Sequence, residues 1–123
     1  MMRLTAAVLD APRAGELADF SLRLLPGWRV WRGQDRVHIR PPDGGTGLAF
    51  QTEPAYRPPA WPSAADRQQM MIHLDIAVDD LERETARAVA EGARLAEFQP
   101  QDDVRVLLDP AGHPFCLCTQ TPQ

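Results

Sequence analysis

The sequence predicts an α+β fold built twice over, with two βαβββ modules in one chain of 123 residues. Three observations predict it. Short apolar–polar alternating segments recur between Gly, Pro and Asp clusters, as strands do between turns. Two longer segments carry apolar residues at helical spacing and end on a glycine signal. The whole order then repeats at an offset of about 65–70 residues, the mark of an internal duplication.

The first module spans residues 1–53. Residues 3–9, RLTAAVL, are strand-like. From Ala14 to Leu25 the residues Leu17, Phe20, Leu24 and Leu25 share one helical face, and Pro26-Gly27 stops the helix. WRVWR and RVHIR flank Gly33-Gln34-Asp35 and read as a hairpin. After the loop PPDGGTG comes LAFQTE, a fourth strand that buries Leu48 and Phe50 and turns Ala49, Gln51 and Glu53 outward.

Residues 54–69 carry Pro54, Pro58, Pro59 and Pro62 and cannot run inside a central strand, so they read as an extended linker. The second module, 70–123, opens on the strand MIHLDIAV. Its Ile72, Leu74, Ile76 and Val78 form an aliphatic face, and Met71, His73, Asp75 and Ala77 form the other. Asp79 with Glu82 three residues on reads as a capping box for a helix with Leu81, Thr85, Ala88 and Val89 inward, and Gly92 is placed for its C-terminal cap. ARLAEF and VRVLLD are further strands, with turns over 99–103 and 109–112. PFCLC is the last, burying Phe115 and Leu117 and turning Cys116 and Cys118 to the opposite face.

Composition excludes several classes of function. With 44% hydrophobic and 24% charged residues the chain is ordinary globular protein. No apolar run approaches the length of a membrane span, and the N-terminal apolar run is too short for a signal peptide. The net charge is −4, and the thirteen cationic residues, all arginine, are scattered. No basic stripe supports nucleic-acid binding. Cys116 and Cys118 on one strand face would stand about 7 Å apart, too far to bridge without distortion. Reduced thiols and a cytoplasmic location are the expectation.

The second half, HLDIAVDDLERETARAVAEGARL followed by VRVLLDPAGHPFCLC, resembles the glyoxalase/bleomycin resistance/dioxygenase (vicinal oxygen chelate) superfamily, and within it the small glyoxalase-like domains of actinobacterial type. In the first half LADFSLRLLPGW is similar to that superfamily's first helix and turn, and LAFQTEP to its fourth strand. The resemblance covers essentially the whole chain. It implies curled mixed sheets around a concave cleft that takes a small molecule, in a homodimer. It also implies, in metal-dependent members, a divalent ion held by one residue from the first and one from the fourth strand of each module, His and Glu by habit, which polarises vicinal oxygens of the substrate. Carried across, those positions fall near Thr5 and on Gln51, His73 and Cys116. One imidazole, one neutral amide and one thiol are a poor set for a catalytic divalent metal, and no carboxylate remains at the usual base position.

The expectation is therefore a small-molecule-binding protein with no metal cofactor, its cleft anchored by His73, Asp75, Gln51 and Cys116 with Trp61 at the rim. If a metal is present, His73, Gln51 and Cys116 are its ligands. His73 is either a cleft-facing imidazole or a metal ligand, and Asp75 either orients it or is simply solvated. His38 between Arg36 and Arg40 contributes to a positive patch favouring an anionic ligand, or is plain surface. Trp28, Trp31, Tyr56 and Trp61 are the aromatic candidates for a pocket, and His113 caps the turn before the last strand. Enzymatic action as a lyase, isomerase or dioxygenase is the competing reading, and a pure interaction scaffold a third. Neither nucleic acid nor membrane is an expected partner.

Overall fold

The computed structural model describes residues 1–119, so the last four residues of the second module, 120–123, lie outside the described residues. It divides into two compact units, Met1–Tyr56 and Arg57–Gln123.

In the first unit β1 (Ala6–Ala11) leads to α1 (Ala14–Leu24), then β2 (Arg29–Arg32), β3 (Arg36–Arg40) and β4 (Gly47–Thr52). These strands form an open mixed sheet in the order β1-β4-β3-β2, with β1 and β4 parallel and the rest antiparallel. The period-2 alternation decides the two faces. Val37, Ile39 and Phe50 are buried on one face and Ala14, Leu17, Ala18, Phe20 and Leu24 on α1, which packs on β3 and β4. α1 receives its N-terminal cap from the sheet, because Thr52 Oγ1 accepts from Ala14 N–H at 3.1 Å. Past its end, Leu25 N–H donates to Ser21 at 2.9 Å and Gly27 takes φ +86°, a conformation glycine adopts without strain. Gly47 is needed where β4 passes β3, because a Cβ there would overlap the Ile39 carbonyl oxygen.

The second unit repeats this topology. Its elements are β5 (Leu74–Ala77), α2 (Leu81–Ala90), β6 (Arg94–Leu95), β7 (Val104–Leu108) and β8 (Pro114–Cys118). The sheet order is β5-β8-β7-β6, with β5 and β8 parallel. Leu107, Phe115 and Leu117 are buried on the face that α2 covers, with Ala88 opposite them on the helix.

Several expectations need correction. β1 runs over Ala6–Ala11 instead of residues 3–9, Ala49, expected outward, is 0% exposed, and Val89, expected inward on α2, is 45% exposed. The cap of α2 is Asp80 and not Asp79: the Asp80 carboxylate accepts from Arg83 N–H at 3.1 Å, three residues on, where a capping side chain reaches. The strand expected from Met71 begins only at Leu74. Met71 sits at φ +60° and Ile72 N–H turns back to Met70, so Ile72 is 64% exposed instead of joining the aliphatic face. The strand expected over 93–98 shrinks to two residues. Beyond it a side chain takes over the pairing: Val106 N–H donates to Gln99 Oε1 at 2.9 Å, and Gln99 Nε2 donates to the Val106 carbonyl at 2.8 Å. The Gln99 amide thus acts as one peptide unit of a missing strand.

Candidate functional site

The first sheet leaves one face uncovered by α1. Along it the register places Val8, Ala49, His38 and Trp31 in one row across the four strands, and Asp10, Gln51 and Arg36 in the next. The second row is hydrogen-bonded end to end. Arg36 Nη1 donates to Gln51 Oε1 at 3.2 Å, and Gln51 Nε2 donates to Asp10 Oδ1 at 3.4 Å. Arg36 Nε also donates to His38 Nε2 at 2.9 Å. A guanidinium cannot accept, so His38 presents its Nε2 lone pair there and carries its ring proton on Nδ1. A cavity of about 380 Å³ lies against this sheet, lined by Thr5, Trp31, His38, Ile39 and Arg40. Trp31 is 53% exposed, which is unusual for so large an apolar ring and leaves its face open to a partner.

The second sheet brings three of the sequence candidates together. His73 lies one residue before β5, Asp75 lies within it, and Cys116 faces Asp75 from β8. His73 Nε2 is 3.1 Å from Asp75 Oδ1, and the donor atoms of His73, Asp75 and Cys116 all lie within 4.8 Å of one another. Gln51 belongs to the first unit, with Arg36 and Asp10 as its partners. Trp61 precedes a cis proline, donates its indole N–H to the Phe98 carbonyl at 3.1 Å, and packs its ring 6.1 Å from that of Phe98.

The two sheets also define which positions are equivalent. Asp10 pairs with Gln51 in the first as Asp75 pairs with Cys116 in the second. Two residues before each aspartate stand Val8 and His73. On this face of β1 the side chains of Ala6 and Val8 precede Asp10, and Thr5 lies one residue before the strand, lining the cavity.

Burial raises the Cys116 thiol from its ordinary 9.0 to about 11, and the Asp75 carboxylate, Cys118 and a hydrogen bond to Asp75 push the same way. Cys118 is raised as well, first by burial and then by Asp75 and Asp103. The groups acting on the two thiols all raise them, away from the low-pKa state of a nucleophilic cysteine. In a Cys118→Ser background, Cys116 should react with iodoacetamide at pH 8 about tenfold more slowly than an unstructured cysteine, the scarcity of its thiolate being partly offset by the thiolate's greater nucleophilicity. Mass spectrometry reads the rate, and a rate equal to that of the urea-unfolded chain would contradict the burial argument. The folded chain keeps this proton to higher pH than the unfolded chain does. Its stability should accordingly fall as pH rises from 9 towards about 11, and less so in Cys116→Ser.

A feature that spacing alone did not reveal sits in the β7–β8 turn. Asp109 is 8% exposed, and its Oδ1 accepts from Ala111 N–H at 2.9 Å and His113 N–H at 3.0 Å. Its Oδ2 lies 2.8 Å from His113 Nδ1. A carboxylate only accepts, so Nδ1 carries the ring proton. Gly112 completes the turn at φ +92°, where a Cβ would press on Pro58 at 2.9 Å.

This duplicated arrangement of open four-stranded sheets defines a glyoxalase/bleomycin resistance class of fold, and solved structures agree. A glyoxalase/bleomycin resistance protein/dioxygenase family enzyme from Burkholderia phytofirmans PsJN matches with a TM-score of 0.67 at 15% identity, over 94% of this chain and 97% of that one. A possible glyoxalase from Bacillus cereus matches with a TM-score of 0.68 at 13% identity, over 96% and 99%. A mutant of a fosfomycin resistance protein from Listeria monocytogenes, complexed with Mn(II) and 1S,2S-dihydroxypropylphosphonic acid, matches with a TM-score of 0.69 at 12% identity, over 98% and 94%. The sequence itself matches the model of the glyoxalase-like domain over residues 6–118, and the chain belongs to that family. Among curated proteins none matches. No helix among the described residues is long and apolar enough to cross a membrane.

Superfamily members often use a divalent metal. The four positions expected from the sequence fall near Thr5 and on Gln51, His73 and Cys116. The Gln51 oxygen that a cation would need already faces the Arg36 guanidinium. A second cation at that oxygen would meet like charge at close range. His73, Asp75 and Cys116 remain as a smaller three-donor group in the second unit.

Proposed function

We propose that this chain is a small-molecule-binding member of the glyoxalase-like family that works without the four-ligand metal site. Gln51 anchors ligand on the open face of the first sheet, and His73, Asp75 and Cys116 do so on the second, with Trp61 as a rim residue. The observation that carries the reading is the Arg36–Gln51 hydrogen bond of 3.2 Å, which commits the amide oxygen to a cation of the protein's own. The cavity of about 380 Å³ supports it, being within the range of small-molecule sites. The family resemblance extends the proposal to a cytoplasmic homodimer, for which sedimentation should show a species of twice the chain mass.

The second reading, a metal-dependent lyase, isomerase or dioxygenase, is favoured by one observation, the His73–Asp75–Cys116 group within 4.8 Å. Imidazole, carboxylate and thiolate together are a zinc-type donor set. Metal analysis of protein purified without chelators separates the two. We expect no stoichiometric metal, and thermal shifts with members of a panel of glycopeptide drugs and thiol adducts that survive chelator treatment. Near-stoichiometric zinc, nickel or iron, lost on His73→Ala, would replace the first reading with the second. An absence of any shift across the panel would remove the binding reading.

A further inference from the structure

The binding reading leaves the ligand's chemistry open, and the first sheet narrows it. Arg40 lies directly opposite Arg29 in the β2–β3 pairing, with Trp31 opposite His38 one step along the same face. Like charges facing each other across an antiparallel pair are unfavourable, and among the described residues neither Arg29 nor Arg40 takes part in an ion pair. Two other surface arginines of this unit are neutralised: Arg32 is 2.7 Å from Asp19, and Arg13 is 3.0 Å from Glu16. Arg40 and His38 line the cavity and Trp31 forms part of its wall. His38 is held by Arg36 with its proton on Nδ1, so it adds a donor, not an acceptor, to the same face. An unneutralised guanidinium, an imidazole donor and an exposed indole face together match one ligand chemistry. Guanidinium pairs with an oxyanion in a planar two-point geometry, and indole stacks on a flat ring.

Resting on the binding reading above, we infer that the pocket between β2 and β3 selects a planar organic anion of the aromatic carboxylate class, with Arg40 and His38 on the carboxylate and Trp31 against the ring. Electrostatic relief of the Arg29–Arg40 pair adds to the selectivity, because only an anionic ligand supplies it.

Calorimetric titration of the whole chain with 2-naphthoate and with its neutral isostere 2-naphthamide tests this. Naphthoate should bind about tenfold tighter than naphthamide, the scale of one charge-assisted hydrogen bond. Arg40→Gln should abolish that preference, and because it removes a like-charge pair it should melt no lower than the parent. Trp31→Ala should weaken both probes together, while Arg13→Gln should change neither. Rising salt should weaken naphthoate and leave naphthamide unaffected, which gives a readout independent of any variant. Equal affinity for the two probes, or a preference that persists in Arg40→Gln, would overturn the inference and leave the binding reading standing. Failure of both probes to bind would also overturn it. The binding reading itself falls only if the wider drug and adduct panel is silent as well.

Discussion

Replacing Asp109 by alanine should lower stability by about 3–4 kcal/mol, the largest loss expected from a single polar side chain here. The carboxylate is nearly inaccessible and serves three donors, the backbone N–H groups of Ala111 and His113 and the His113 ring. Alanine leaves all three facing a site with little water. For a chain of this size the loss corresponds to a melting temperature about 10–15 °C lower. Asp109→Asn is the informative comparison. Its amide oxygen still serves the two backbone donors, while its NH₂ faces the protonated ring nitrogen, so a cost of about 1–2 kcal/mol is expected. If alanine and asparagine cost the same, the backbone bonds are not what Asp109 contributes. Thermal unfolding followed by circular dichroism checks both. The turn also meets the proline-rich segment through Gly112 and Pro58, so limited proteolysis near residue 58 should quicken in Asp109→Ala.

A second large effect should follow from Phe50→Ala, about 3–5 kcal/mol by denaturant titration. Phe50 is 1% exposed and pairs in register with Leu9 on one side and Val37 on the other, beneath α1. Truncation opens a cavity in the middle of the first module's core. The adjacent residue Gln51 points to the opposite face, is exposed and holds two long hydrogen bonds, so Gln51→Ala should cost no more than about 1 kcal/mol. A contrast of this size between neighbours is a direct reading of the pleat. Similar costs for the two would mean that the faces are not divided as described.

The duplicated topology was legible in the sequence because it rests on local signals. Phe50 against Gln51, or Phe115 and Leu117 against Cys116 and Cys118, mark faces without reference to any other strand, although Ala49, expected outward, is buried. What the sequence concealed depends on pairing between distant segments. The row Asp10–Gln51–Arg36 exists only once β1, β4 and β3 lie side by side. The cap of α2 was ambiguous between adjacent aspartates, and only the hydrogen bond to Arg83 N–H resolves it to Asp80. The short β6 was unforeseeable for another reason. Alternation in ARLAEF is compatible with a longer strand, but the Gln99 side chain competes for the same backbone groups and takes them.

That substitution of a side chain for a strand bears on how separate molecules of this protein behave towards one another. Beyond Leu95, it is the Gln99 amide that occupies the Val106 N–H and shares the Val106 carbonyl with Ala96 N–H. Exposed strand edges recruit strands from other chains. Three rotatable bonds of one glutamine thus stand between β7 and a foreign strand, and the neighbouring Leu95 and Phe98, 49% and 50% exposed, would give such a strand apolar company. Self-association by edge pairing, rather than loss of the fold, is the failure to which this corner of the molecule is most exposed.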